Sequence, residues 1–143
     1  MKISLYGIEF IKEKEGLRLR PYKDAAGHYT VGYGHRTNDH DKIITKAEAT
    51  DLLRKDIETI EERLNMWKLK VTQEQYDMLI SFTFNLGYST LLHSGILELL
   101  QQEDYPTVGK KILNYNHARV GGALIHLAGL TKRRIEEHIP FMV

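Results

Sequence analysis

The sequence predicts an α+β fold that is mostly α, with a small hairpin lobe over about residues 15–45 and a helical remainder within one domain, 1–143. Three observations carry that prediction. Tyr29, Val31 and Tyr33 alternate with Thr30, Gly32 and Gly34 behind a turn signal at Asp24 to Gly27, which is the period of a strand. Two capping boxes, Thr45 to Glu48 and Thr72 to Gln75, each open an apolar stripe at helical spacing. The three prolines are far apart and no Gly/Ser/Pro-rich linker divides the chain.

Taken in order, residues 5–14 read as a helix with Ser4 as N-cap and Leu5, Ile8 and Ile11 on one face. Gly16 ends it, as the residue best suited to the left-handed position after a helix. The stretch 17–34 then reads as a hairpin, and its bare Thr30-Gly32-Gly34 face would let a ligand approach closely. Residues 35–44 read as a polar loop. The helix from Thr45 carries Ala49, Leu53, Ile57, Ile60 and Leu64 inward, with Asp51, Glu58, Glu61 and Glu62 on the solvent side. The next runs through Leu79, Phe82 and Leu86 to Gly87. Two more are predicted from Ser94 and Asp104, and a last one from Thr131 to Ile139 ahead of Pro140, for about six helices.

Composition narrows the function. Apolar residues at 42% and charged residues at 27% belong to an ordinary folded chain. Twenty basic against nineteen acidic residues leave a net charge of +1, which argues against binding to nucleic acid mainly through phosphate neutralisation and leaves room for a local basic patch. The absence of cysteine removes disulfide frameworks, thiolate zinc sites and cysteine nucleophiles. No run approaches 18 apolar residues, and the N-terminus lacks the apolar core of a signal peptide, so the expectation is synthesis in the cytoplasm with no membrane anchor.

Chemistry is concentrated in the irregular lobe. Glu15 falls at a helix C-terminus, where the helix dipole disfavours negative charge and a protonated carboxyl is easier to keep. Asp24 falls on the turn and Thr30 on the open strand face. A proton donor, an ionised carboxylate and a hydroxyl that can hold water are the parts glycoside hydrolysis needs. The residues alone leave solvated surface acids as the other reading.

The frame around them is more specific. Glu15-Gly16-Leu17-Arg18-Leu19, Tyr22-Lys23-Asp24, Gly27 and Thr30-Val31-Gly32-Tyr33-Gly34-His35 resemble the signature of bacteriophage-type lysozymes, or endolysins, the muramidases of glycoside hydrolase family 24. Eight and then five residues separate the Glu, Asp and Thr, as in that family. Gln75-Tyr76-Asp77, Ser81-Phe82, Phe84-Asn85-Leu86-Gly87 and Gly129-Leu130, Arg133-Arg134, Glu137 extend the resemblance nearly to the end of the chain. It implies a two-lobed, lysozyme-like body with the cleft between the lobes. It also implies hydrolysis of the β-1,4 bond between N-acetylmuramic acid and N-acetylglucosamine. Glu15 would be the general acid, Asp24 the carboxylate facing the reacting sugar, and Thr30 the seat of the water. Gly32, His35, Arg36, Phe84 and Asn85 would contact substrate. The partner implied is the glycan strand of peptidoglycan, met by a monomer that needs no metal or cofactor. It would reach the wall through a membrane lesion made by another protein. The sequence departs from the family at Tyr115-Asn116-His117, where a Trp-centred block is usual, and in the longer, more apolar loop 119–128 that follows.

Blander roles compete elsewhere. His28, His35, Asp39, His40 and Asp41 are close in sequence but are read as structural or solvated rather than as a metal site. His35 is expected to bond a carboxylate or backbone group of the helical lobe. Lys132-Arg133-Arg134, in the first turn of the predicted last helix, opposes the dipole and so wants a partner, either an acid near the cleft or a surface contact. Phe82 is expected in the core and Phe84 on another surface, since i and i+2 cannot share a helix face. Trp67 is expected to pack at a connection. Two further functions stay in play: a lytic transglycosylase acting on the same bond without water, and a peptidoglycan-binding module without turnover.

Overall fold

The fold is seen in a computed structural model that describes residues 1–24, 26–120 and 123–142. Helix α1, Leu5–Glu15, starts where Ser4 Oγ accepts from Gly7 N at 3.1 Å. The same hydroxyl donates to Asp77 Oδ2, and Asp77 Oδ1 accepts from Ser4 N at 2.9 Å. The α1 start is therefore clamped to helix α3, Gln73–Leu86, across 73 residues of chain. Ile8 and Ile11 are buried as predicted, whereas Leu5, at the helix start, is exposed, and Gly7 and Phe10 complete the buried face.

Beyond α1 the chain forms a three-stranded antiparallel sheet, β1 (Arg18–Lys23), β2 (Tyr29–Gly32) and β3 (His35–Arg36). The predicted hairpin is present, and the first two residues of the predicted polar loop add the third strand. Helix α2, Lys46–Asn65, opens with the full Thr45–Glu48 capping box and buries Ala49, Leu53, Ile57 and Leu64 against the rest. Glu61 departs from its predicted solvent side: it is buried, because its carboxylate accepts the Ile3 N–H at 2.7 Å. Helix α3 is buried at nine consecutive positions, Gln75 to Thr83, and a helix covered all round is the centre of its lobe.

Helix α4 (Tyr88–Ser94) packs on α3, and α5 (Ile96–Gln101) packs on α4 and on α6 (Tyr105–Leu113), with Leu91, Ile96, Leu97, Leu100, Val108 and Ile112 fully buried. The sequence reading missed α4. Ser94 ends that helix rather than starting the next one, and Gly95, at φ +81°, makes the corner. Trp67 packs at its connection as expected, with Nε1 donating to Tyr88 Oη at 3.0 Å.

The expected loop at 119–128 is also corrected. Strands β4 (His117–Val120) and β5 (Ala123–His126) pair antiparallel, from His117 opposite His126 to Val120 opposite Ala123. They flank Gly121 and Gly122, which lie outside the described residues. A Gly-Gly pair between two short runs is a hairpin signal, and the apolar composition of the segment masked it. Helix α7, Ala128–His138, begins three residues before the predicted Thr131, which moves Arg133 out of the first turn. A 3-10 turn at Ile139–Phe141 carries Pro140 and buries Phe141. The described residues thus form seven α-helices and two small sheets, and the α+β, mostly α class holds. Among them no helix is long and apolar enough to cross a membrane.

The clamp at Ser4 makes a stability prediction. Asp77→Ala removes the acceptor of the Ser4 N–H and of the Ser4 hydroxyl, so the unfolding free energy in urea should fall by about 2–3 kcal/mol. An unchanged midpoint would mean that the α1 start does not depend on Asp77.

Candidate active site

Each of the three chemistry-bearing residues sits where the chain changes structure. Glu15 is the last residue of α1, and Gly16 turns the chain at φ +71°. Asp24 follows β1 and organises the turn: its Oδ1 accepts from Ala26 N at 3.0 Å and from His28 N at 2.8 Å. Oδ2 has no partner among the described residues. Thr30 lies on β2 opposite Tyr22 of β1 and Arg36 of β3. Its hydroxyl is buried and unpartnered among the described residues. A buried hydroxyl without a partner is rare, and a bound water is the ordinary remedy. All three line one cleft of about 500 Å³, together with Phe84 and Asn85 from the end of α3.

Glu15 is fixed from below by a cation. Arg133 Nη1 donates to Glu15 Oε2 at 2.5 Å, while Nη2 donates to the Ser81 carbonyl and hydroxyl at 3.2 Å and Nε to Glu137 Oε2 at 3.3 Å. The Ser81 hydroxyl also donates to Glu137. Of the two roles left open for Arg133, the buried acid near the cleft is the one found. Arg134 Nε lies 2.6 Å from Glu137 Oε1, an ion pair without the angle of a hydrogen bond. Its Nη2 donates to Asn85 Oδ1 at 2.9 Å, and its guanidinium lies over the Phe82 ring. Burial pushes the Glu137 carboxyl up from its ordinary value against the pull of Arg134 and Arg133. Burial likewise draws the Arg134 guanidinium down, with Glu137 opposing. The sequence reading placed Glu15 at a helix end and did not name it as the acid that Arg133 meets.

Two proposed contacts fall away from the cleft. Gly32 is buried against α2, where a Cβ would meet Ala49 at 3.3 Å, so its missing side chain admits a helix and not a sugar. His35 Nδ1 pairs with Asp56 Oδ2 of α2 at 2.8 Å, the bond to the helical lobe that its sequence suggested, and it lines a different cavity. Arg36, Phe84 and Asn85 do line the cleft. Phe82 is buried in the core while Phe84 is turned to the cleft, as their spacing required. Gly34 is the close-approach glycine: a Cβ there would stand 2.7 Å from Glu15 Oε1. Tyr22, which sequence reasoning did not single out, also lines the cleft.

A larger cavity, about 640 Å³, opens along α1 between Tyr6 and Tyr33. Its acids Glu9, Glu13 and Glu136 each pair with a lysine, whereas Asp24 Oδ2 of the cleft has no partner among the described residues. Among the described residues, no three His, Asp or Glu side chains converge as a metal would need. His28 lies 3.9 Å from Asp24 and His40 stacks on Tyr29.

Comparison with known proteins gives a consistent family. The phage lysozyme family model matches residues 12–137. The endolysin of Acyrthosiphon pisum secondary endosymbiont phage 1 is 38% identical, over 99% of this chain and 98% of its own. Among solved structures, the muramidase domain of SpmX from Asticaccaulis excentricus superposes with a TM-score of 0.88 at 33% identity, over 99% of this chain and 98% of that one. The endolysin from Escherichia coli O157:H7 phage FAHEc1 gives 0.87 at 29% identity, over 99% and 94%.

The Gly34 contact can be tested directly. Gly34→Ala puts a methyl group against Glu15 Oε1 at a residue with φ +76°. Stability should fall by about 1–3 kcal/mol in urea, and a crystal structure of the variant should show the Glu15 carboxylate displaced from Arg133. An undisturbed pair would remove Gly34 from the account of the site.

Proposed function

Because the chain belongs to the phage lysozyme family, we propose that the cleft holding Glu15, Asp24 and Thr30 is the active site of a muramidase. The enzyme is a glycoside hydrolase of peptidoglycan, of the endolysin type that lyses the host of a phage. The bond cut is the β-1,4 linkage from N-acetylmuramic acid to N-acetylglucosamine. The observation that supports the site is one cleft lined by Glu15, Asp24 and Thr30, in which Asp24 Oδ2 and the buried Thr30 Oγ1 have no described protein partner.

The geometry divides the work. Arg133 occupies Glu15 Oε2, so the proton is carried on Oε1, beside Gly34, and is given to the glycosidic oxygen as the bond to the sugar carbon breaks. Positive charge then develops on that sugar. The ionised Asp24, its Oδ1 held by two backbone N–H groups, turns Oδ2 toward it. Thr30 Oγ1 holds the water that replaces the leaving sugar; the water's oxygen joins the anomeric carbon and its proton leaves to a carboxylate. No metal or cofactor enters these steps. On this reading the enzyme works as a monomer on glycan strands. It reaches the wall through a membrane lesion made by another protein.

A transglycosylase would close the muramic acid's own 6-hydroxyl onto the reacting carbon and would leave Thr30 and Asp24 without work. Digestion of cell walls in heavy-oxygen water should therefore place one labelled oxygen on each new reducing muramic acid end. Unlabelled 1,6-anhydro ends as the main product would overturn the hydrolytic reading.

Glu15→Gln should lower turnover by about 10²–10⁴-fold, since an amide cannot supply the proton. Its circular dichroism and thermal unfolding should stay close to wild type. A folded variant keeping more than about a tenth of the wild-type rate would assign the proton to another group.

A further inference from the structure

Strand β1 is an edge of its sheet, and it is not a regular one. Arg18 pairs with Gly32 and Tyr22 with Thr30, so Leu19, Arg20 and Pro21 stand against the single residue Val31 and bow outward. The bulge leaves little backbone for another chain to pair with. Pro21 has no N–H, and the Leu19 carbonyl already accepts from Ile44 N at 3.0 Å. What it offers is side chains. Leu19 is 41% exposed, and the bond to Ile44 brings to the same edge Ile43, which is 55% exposed. On the same two segments Arg18, Arg20, Lys23 and Lys42 are exposed, and none of them forms an ion pair among the described residues. Asp39 and Asp41, in the loop before Ile43, offset two of these four charges. Asp39 Oδ1 already accepts from Asp41 N and Lys42 N, each at 3.1 Å.

Protruding aliphatic side chains set among unpaired cations call for a partner that has both anions and hydrocarbon. Leu19 and Ile43 line neither the cleft nor the two larger cavities, so they suit a flat, yielding surface rather than an inserted side chain. Wall glycans and their peptides supply anions but no hydrocarbon phase, and an added protein strand finds few free backbone groups here. An anionic lipid surface supplies both: phosphates at the depth of the arginines and lysines, and acyl chains just below for the two aliphatic tips. We propose that the β1 bulge and the adjoining Lys42-Ile43 segment dock the protein reversibly on an anionic bilayer. Four cations against two acids, with two aliphatic tips, make a weak surface contact and not an anchor. Tyr22, at the end of the bulge, lines the cleft, so docking turns that side of the cleft mouth to the lipid. The docking residues lie outside the cleft, and the contact holds whatever reaction the cleft performs.

Vesicle co-sedimentation tests the docking. The wild type should sediment with vesicles of phosphatidylglycerol and phosphatidylcholine in equal parts, come off as salt is raised, and stay free of vesicles of phosphatidylcholine alone. Arg20→Gln and Lys42→Gln should each weaken partitioning about fivefold at low salt, the effect of one charge near the surface, and little at high salt. Leu19→Ser and Ile43→Ser should each weaken it about fivefold at both salt levels, as expected for an aliphatic side chain already half exposed before docking. All four positions are exposed and outside the cleft, so thermal unfolding and the rate on purified cell walls should stay close to wild type. A wild type that ignores anionic vesicles, or binds both kinds of vesicle alike, would overturn the proposal. So would sedimentation with purified cell walls that falls in the four variants while vesicle binding does not, which would give the patch to carboxylates or phosphates of the wall.

Discussion

The rest of the site depends on the Arg133 guanidinium. Four of its hydrogen bonds reach three places in the chain: Glu15 at the end of α1, Ser81 inside α3, and Glu137 one turn further along α7. Glu15 is the point where the chain leaves the helical lobe for the sheet, and the neighbouring Gly16 turns it at φ +71°. A carboxylate there would swing with the chain reversal if nothing held it. Arg133 fixes one oxygen, and the missing side chain of Gly34 leaves room for the other.

The sheet lobe inherits its position from the same helix. At one end α1 is clamped by Asp77 and at the other by Arg133, so it is a rigid strut from the helical lobe to β1. The sheet is then fastened a second time, through Gly32 against Ala49, His35 on Asp56 and the Ile44 N–H on the Leu19 carbonyl. These residues lie away from the substrate, yet they set how far Asp24 and Thr30 stand from Glu15. Since misplacement of a reacting group by about 1 Å can cost a hundredfold in rate, residues such as His35 matter to the chemistry without touching it.

What was legible in the sequence was local. Ser4, Thr45 and Thr72 announce their helices because a cap is satisfied within three or four residues, and all three are found capping. The spacing of Glu15, Asp24 and Thr30 inside its glycine-rich frame pointed to one cleft, and they do line one. What failed was long-range. Gly32 and Gly34 look alike on an alternating strand, but β2 ends at Gly32 and the turn at Tyr33-Gly34 sends one glycine to α2 and the other to Glu15. Glu61 sits on the charged side of α2 by periodicity and is buried only because an N-terminal backbone N–H needs it. The pairing of Arg133 with Glu15 spans 118 residues, and nothing within a helical turn of either one specifies it.

The buried charges at the base of the cleft are poorly explained by stability. Arg133, Arg134 and Glu137 are all removed from water, and replacing such a set by well-packed apolar side chains is often neutral or stabilising. An apolar base would support the lobe as well, but it would leave Glu15 without a fixed donor and the Asn85 amide free to turn over. Glu137 faces both arginines at once, and Arg133 reaches Glu15 as well. Each arginine therefore keeps a full partner in the interior while sending one N–H outward, Arg133 to the acid and Arg134 to the amide. The unfavourable burial is retained because direction, and not net binding energy, is what these two side chains contribute to the cleft.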